Sequence, residues 1–477
     1  MITFIFSLCL LIAGYFVYGK ITEKIFGIET GRKTPAFTKQ DGIDYIPMKS
    51  WKVFMIQFLN IAGLGPVFGA IMGAQFGVSS YLWIVFGSLF AGAVHDYMSG
   101  MMSLRMGGAG LPEIQGKYLG NGVKRLMPVF MIVLLVLVGV VFVVGPAGLL
   151  ANLTSGYLPA PFWICIIILY YLLATLLPVD KIIGRIYPVF GFCILVMALG
   201  ILISIFVYQP ALPEIWHGLG NKHPQAETNP IFPMMFVSIA CGAISGFHAT
   251  QSPLMSRCMT NEKQGRPIFY GAMISEGIVA LIWAAAASYF FFDTEEGKNI
   301  FGTGANTAIV VDNIARNWMG AFGAVLVVLG VIFAPITTGD TAFRSARLII
   351  ADFLKIDQKP ISKRLLIAVP LFVVAVIVLL YSLYDANGFE TIWRYFAWSN
   401  QTLSVFTLWA ITVYLSLKKK PYIIALIPAL FMTMVCSAFV FVQKEGFLGL
   451  DTTLSYILSG VITLSSWIGF IFWKKKR

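Results

Sequence analysis

The sequence predicts an all-α polytopic membrane protein of about thirteen transmembrane helices, with a core of two five-helix repeats in inverted orientation. Three observations predict it. Hydrophobic residues make up 58% of the 477 and charged residues only 12%, with a mean hydropathy of +0.82, whereas soluble domains carry about 25% charged residues. Thirteen runs approach the ~20 apolar residues needed to span a bilayer. Two of those runs, 53–77 and 231–256, are broken by glycine and proline at mid-depth.

The runs are 2–19, 53–77, 80–104, 126–148, 161–179, 186–208, 231–256, 267–292, 319–343, 365–384, 396–417, 421–442 and 453–473, numbered here as segments 1 to 13. No small-residue cleavage site follows segment 1, so it reads as a retained helix and not a signal peptide. Lys and Arg number 29 in the stretches after odd-numbered segments and 5 after even-numbered ones, together the 34 of the chain. By the positive-inside rule the odd loops are cytoplasmic, the amino terminus is outside and the KKKR tail inside. The net charge of +12 therefore reflects membrane topology, and no nucleic-acid partner is expected. The six cysteines include no CxxC pair, which argues against disulfide, zinc and redox chemistry.

Segment 2 carries NIAGLGPVFGAIMGAQFG and segment 7 carries SIACGAISGFHATQSPLMS. Unwound backbone is tolerated inside a bilayer only where it is buried in protein or lines a cavity, and two such segments in matching positions mark a binding site. They stand five segments apart and enter from opposite sides. Residues 53–208 then form one repeat and 231–417 the other, preceded by 1–52 and followed by two accessory helices and a basic tail over 421–477. This pattern resembles the sodium-symporter architecture. The breaks are expected near Gly63–Pro66 and Gly242–Gly246, facing each other. The external stretch 303–317 reads as a helix in the position of an outer gate.

Charged residues within spans cost about 2.5–3.5 kcal/mol on insertion scales, so each is a functional candidate. On segment 3, Ser88, Gly92, Asp96, Ser99 and Ser103 share one helical face, offering either hydrogen bonding between helices or a functional Asp96. His95 is offset by about 100° and need not share that face. On segment 7, Ser245 and Gly246 begin a half-helix whose amides suit an anion, with His248 and Gln251 beside it. His248 as a mere partner for freed carbonyls is the plainer reading. On segment 8, Glu276 suits proton coupling or pairs with a base. On segment 9, Thr337, Thr338, Asp340 and Thr341 put four oxygen donors within five residues. With carbonyls near Ala62 and Gly65, Thr337 and Thr338 fit a Na⁺ site. Asp340 also stands i,i+4 to Arg344, the spacing of a plain helix ion pair. Asn400 and Gln401 have a case for function among interfacial aromatics, while His217 and His223 read as solvated. Ser245–Gly246 faintly resembles an intramembrane protease motif, without the preceding glycine and without an identifiable base.

The blocks DGIDYIP, NIAGLGPVFG, AGAVHDYMS, PVDKIIGRIYPVFG, ACGAISGFHATQSPLMSR, PITTGDTAFRSAR and IWRYFAWSNQTL resemble the carbon starvation protein A family of bacterial membrane transporters, over residues 41 to about 408. The resemblance implies uptake of peptides or pyruvate under nutrient limitation, proton symport for the pyruvate members, and membership of the amino acid–polyamine–organocation superfamily.

These observations converge on a secondary transporter of the bacterial cytoplasmic membrane, not an enzyme. It would work by alternating access, with Gly63, Gly65, Ser245, Gly246, His248 and Gln251 at the substrate and Asp96, Glu276, Thr337, Thr338 and Asp340 in ion coupling. A membrane-embedded protease, a sensor and an uncoupled channel are the alternatives. No Walker string GxxxxGK[ST] is present, so direct ATP coupling is not expected. No cofactor is expected beyond H⁺ or Na⁺, and partners are the bilayer and the substrate. The choice between peptide and pyruvate, and the oligomeric state, are open in the sequence.

Overall fold

The computed structural model describes residues 1–477 except 43, 155–156, 177–178, 302–306, 357, 359 and 386–387, and leaves the side chains of 175–187 and 352 undescribed. The block PVDKIIGRIYPVFG thus lies mostly outside the described side chains, and 303–306 of the external stretch outside the described residues. Among the described residues the chain is entirely helical and turn, with no strand.

Eight described helices are long and apolar enough to cross a membrane, nine if the bent pair Ser50–Ile61 and Gly65–Ala74 is one span. Segment 4 is the longest uninterrupted example, Asn121–Leu153, about 50 Å at 1.5 Å per residue. Segment 11 runs as Gly388–Leu417 and segment 3 continues through a π turn at Gly87–Gly92 into Ala93–Arg105. Both are more polar than the other spans, which follows from the side chains they bring inward. The external stretch is helical from Thr307, and Gly320, at φ 59°, kinks the chain before it continues into segment 9. The sequence reading missed the short helix Leu111–Leu119, whose Pro112 starts it and whose apolar face is too brief to stand out.

Both broken segments are interrupted where expected. Segment 2 bends by 53° between Ile61 and Gly65. Segment 7 has helix over Phe236–Ser238, leaves helical geometry at Ile239, and resumes at Gly246–Ser256 from an extended Ser245. The two breaks touch: a Cβ on Gly65 would lie 2.1 Å from the Cβ of Cys241. Only a residue without a side chain permits that approach.

Inside lipid, helices associate through packing and hydrogen bonds, not apolar burial, and the interior shows both. Helix Gly246–Ser256 packs against Ala93–Arg105, Ser50–Ile61 and Gly388–Leu417, while Gly271–Asp293 packs along both halves of segment 2. Segments 4 and 9 pack closely on each other. Helix Ile2–Phe26 is capped from afar, since the Glu214 carboxylate accepts from the Ile2 and Thr3 amides at 2.9 and 2.8 Å. At the far end of segment 3, buried Glu262 accepts from Arg105 at 2.9 Å and from the Glu29 amide at 2.6 Å, tying three elements together. The lipid-facing surface is apolar, with Val373, Ile377 and Leu464 each more than half exposed.

Candidate functional site

Four wholly buried residues from three segments meet beside the break in segment 7. The Asp96 carboxylate receives His248 Nδ1 on Oδ2 at 2.8 Å and His95 Nδ1 on Oδ1 at 2.7 Å. On the other side of the same imidazole, His248 Nε2 stands 3.4 Å from Glu276 Oε2. Glu276, His248, Asp96 and His95 therefore form one buried line, all at 0% exposure. Each histidine spends its Nδ1 hydrogen on Asp96, which leaves both Nε2 atoms as acceptors when the rings are neutral.

The local sequence explains the line. Helix geometry puts Asp96 on the face that segment 3 turns toward segment 7. Ser88 on that face donates to the Gly242 carbonyl at 3.0 Å, and the Gly100 carbonyl accepts from Ser256 at 2.8 Å. Ordinary hydrogen bonding between helices thus accounts for the small residues. It does not account for Asp96, whose partners are ionisable rings. His95, offset from this face by about 100° along the helix, still reaches the site, because its ring folds back onto the neighbouring Asp96. Two charge-assisted hydrogen bonds at about 1.5–3 kcal/mol each are of the size needed to offset the ~2.5–3.5 kcal/mol insertion cost of an intramembrane carboxylate. Neither Glu276 oxygen has a hydrogen bond.

Asn400 holds the start of the half-helix. Its Oδ1 accepts from Ser245 Oγ at 3.0 Å and from the Phe247 amide at 2.7 Å, and its Nδ2 points to Cys241 Sγ at 3.4 Å. A Cβ on Gly246 would stand 2.4 Å from the Asn400 carbonyl, so the close approach requires glycine here. The Phe247 amide at the start of the half-helix therefore already has a partner. Gln401 donates to the Phe236 carbonyl at 2.5 Å, bracing the other half of segment 7.

Segment 9 lies against the break in segment 2. Thr338 Oγ1 donates to the Leu59 carbonyl at 3.3 Å and to Ala334 at 3.1 Å, and Thr337 donates to Ala334 at 2.6 Å. A Cβ on Gly63 would lie 3.7 Å from the Thr338 hydroxyl. The threonines and the break around Ala62 and Gly65 are thus brought together. Asp340 stands apart from the buried line, with its carboxylate 3.8 Å from Arg344, so the plain ion pair is formed. Gln251 is wholly buried and donates to Thr250 Oγ1 at 2.9 Å.

Above the breaks a vestibule of about 1200 Å³ is lined by Met72, Gln75, Ser238, Trp393, Arg394 and His223 among others. His223, half-buried in this vestibule, lays its ring 4.9 Å from that of Phe76. Burial pushes its imidazole down, and its Nδ1 accepts from the Gln225 amide at 3.1 Å.

Ser245 directs its hydroxyl at Asn400, and His248 is committed to Asp96 and Glu276. The paired nucleophile and base that a serine protease needs are not formed by these residues.

Comparison with known proteins places the chain in a family. The family model of carbon starvation protein CstA matches residues 1–158, 154–313 and 290–438. A membrane protein of Haemophilus influenzae is 42% identical over 64% of this chain and 95% of its own length. The peptide transporter CstA of Bacillus subtilis is 26% identical, with 98% of this chain and 94% of that protein covered. The pyruvate/proton symporter BtsT of Escherichia coli is 29% identical over 56% of this chain and 46% of its length. Among solved structures, a manganese transporter of Eremococcus coleocola superposes with TM-score 0.55 at 14% identity, covering 91% of this chain and 98% of that one, a likeness of fold alone. The chain is a multi-pass membrane protein of the carbon starvation protein CstA family.

Proposed function

We propose that this protein is a secondary active transporter that imports a short peptide or a small carboxylate such as pyruvate by proton symport across the cytoplasmic membrane. The observation that carries the proposal is the buried line Glu276–His248–Asp96–His95. The relatives' names supply the substrate classes, since they include a pyruvate/proton symporter and peptide transporters. The architecture in this reading is thirteen spans around a five-plus-five core, with the amino terminus outside and the tail inside.

The geometry suggests how a proton is coupled to movement. One proton lies between Glu276 Oε2 and His248 Nε2, either as Glu–OH facing a neutral ring or as a carboxylate facing an imidazolium. His248 is the third residue of the half-helix Gly246–Ser256, and the positive end of that half-helix disfavours a further positive charge on the ring. The resting proton therefore belongs on Glu276. Asp96 stabilises the imidazolium when the proton crosses, and His95 shares the Asp96 charge. Because His248 rides on the half-helix and Glu276 on a continuous one, rotation at the break changes their separation and with it the proton's place. Substrate at the breaks biases that rotation, and alternating access follows.

The Na⁺ reading needs Thr337, Thr338 and carbonyls near Ala62 and Gly65 as ligands. Both hydroxyls already donate to carbonyls, and a hydroxyl that donates can still accept a cation, so this remains the second reading. Purified protein in proteoliposomes separates the two. With labelled dialanine and labelled pyruvate offered in turn, an inward pH gradient drives uptake of at least one of them without Na⁺. Strict Na⁺ dependence with no response to the pH gradient would overturn proton coupling.

A further inference from the structure

Away from the buried line, the helix Ile2–Phe26, segment 3, the start of segment 7 and segment 12 enclose a groove of about 840 Å³. None of its described lining residues is charged, and the only hydroxyls among them are those of Tyr18 and Ser79. The groove plays no part in the transport site.

Side-chain contacts order it along the bilayer. At one end Lys420, the residue before Pro421, donates to the Phe26 carbonyl beside Ile25. Midway the rings of Tyr18 and Phe90 lie 4.8 Å apart and those of Trp83 and Phe431 5.4 Å apart. At the other end Ser79 donates to the Leu219 carbonyl at 3.1 Å. From Pro421 to Phe431 segment 12 advances about 15 Å at 1.5 Å per residue. That is half of the ~30 Å hydrocarbon core, the depth of one leaflet's acyl chains.

The end at Lys420 is basic. Lys418 and Lys419 precede Lys420, and Lys24 stands next to Ile25 and i,i+3 to Ile21. The acids of this end already hold arginines. Glu29 meets Arg32 at 2.7 Å, Glu262 meets Arg105 at 2.9 Å and Glu23 meets Arg266 at 3.5 Å. Among the described residues none of the four lysines forms an ion pair.

The lining favours a flexible occupant. Helices meet closely inside lipid where small residues let their backbones approach. This wall has no glycine, and it presents Phe86, Phe90, Ile423 and Ile427, each 41–63% exposed. An acyl chain can follow such a surface, and a basic mouth between membrane helices suits an anionic headgroup.

We propose that this groove binds an anionic phospholipid, with an acyl chain along Ile427, Phe431 and Phe90 and its phosphate at Lys24 and Lys418, Lys419 and Lys420. Each lysine engaged favours an anionic over a neutral headgroup by roughly fivefold. Ile231, Met235 and Phe236 line the groove as well, so the lipid rests against the stretch that leads into the break of segment 7.

The test uses the full-length protein with a benzophenone amino acid in place of Ile427, or in place of Ile377 on the lipid-facing surface of segment 10. Each is reconstituted into vesicles of phosphatidylglycerol and phosphatidylcholine in equal amounts and illuminated, and the adducts are identified by mass spectrometry. Adducts at 427 should be enriched in phosphatidylglycerol by about fivefold or more over those at 377. Combining Lys418→Ala, Lys419→Ala and Lys420→Ala should bring the two ratios together. Equal ratios at 427 and 377 with the lysines intact would overturn the proposal, as would enrichment that survives their loss. An adduct at 427 to a second copy of the chain, or none at 427 while 377 is labelled, would overturn it too. Should the triple variant not fold, the comparison of 427 with 377 decides alone.

Discussion

At the residue scale the account turns on a histidine with a carboxylate on each side. His248→Ala is expected to abolish pH-gradient-driven uptake, because it removes the bridge between Glu276 and Asp96. Glu276→Gln keeps the volume and removes the titrating group, so exchange of labelled for unlabelled substrate survives while accumulation against a gradient falls at least tenfold. Asp340→Asn retains proton-driven uptake, since that carboxylate is paired with Arg344 away from the line. Uptake measured with and without a pH gradient in the three variants checks all of this. Asp96, His248 and Glu276 were legible in the sequence because each is a titratable group in an apolar run. His95 was not, since helical spacing describes faces and cannot show a ring folding onto its neighbour.

At the element scale the breaks are the working parts, and glycine and proline content placed both correctly. What the content could not supply was their closure. Asn400 on segment 11 accepts from Ser245 and from the Phe247 amide, acting as an N-cap delivered from another helix. Asn400→Ala removes both bonds and is expected to lower stability by about 1–2 kcal/mol, the usual cost of losing a cap. Thermal unfolding of the purified variant reads this as a fall in Tm of a few degrees. Gly65 offers a sharper test of how the breaks meet. Gly65→Ala brings a Cβ to 2.1 Å from Cys241 Cβ and should impair folding or uptake, and adding Cys241→Gly should restore it. No rescue in the double variant would show that the two breaks do not touch as described. The short helix Leu111–Leu119 and the merging of the external helix into segment 9 were beyond the sequence reading, because both depend on turn geometry that hydropathy does not register.

At the scale of the whole molecule, apolar run length and charge placement made the membrane class legible, and the family follows from the matched profile. The orientation derived from 29 against 5 basic residues carries its own prediction. A cysteine introduced at Arg477 should be labelled by a membrane-impermeant maleimide only after the membrane is opened, whereas one at exposed Glu227 in the vestibule loop should be labelled in intact cells. The central claim is that a proton crosses with the substrate through Glu276 and His248. The most direct measurement is of the protons themselves, with a pH-sensitive dye trapped inside proteoliposomes while labelled substrate enters down its own gradient. The account predicts internal acidification that rises with substrate uptake in the wild type and is lost in Glu276→Gln, even though that variant still exchanges substrate. Substrate entry without acidification in the wild type, or acidification undiminished in Glu276→Gln, would contradict it.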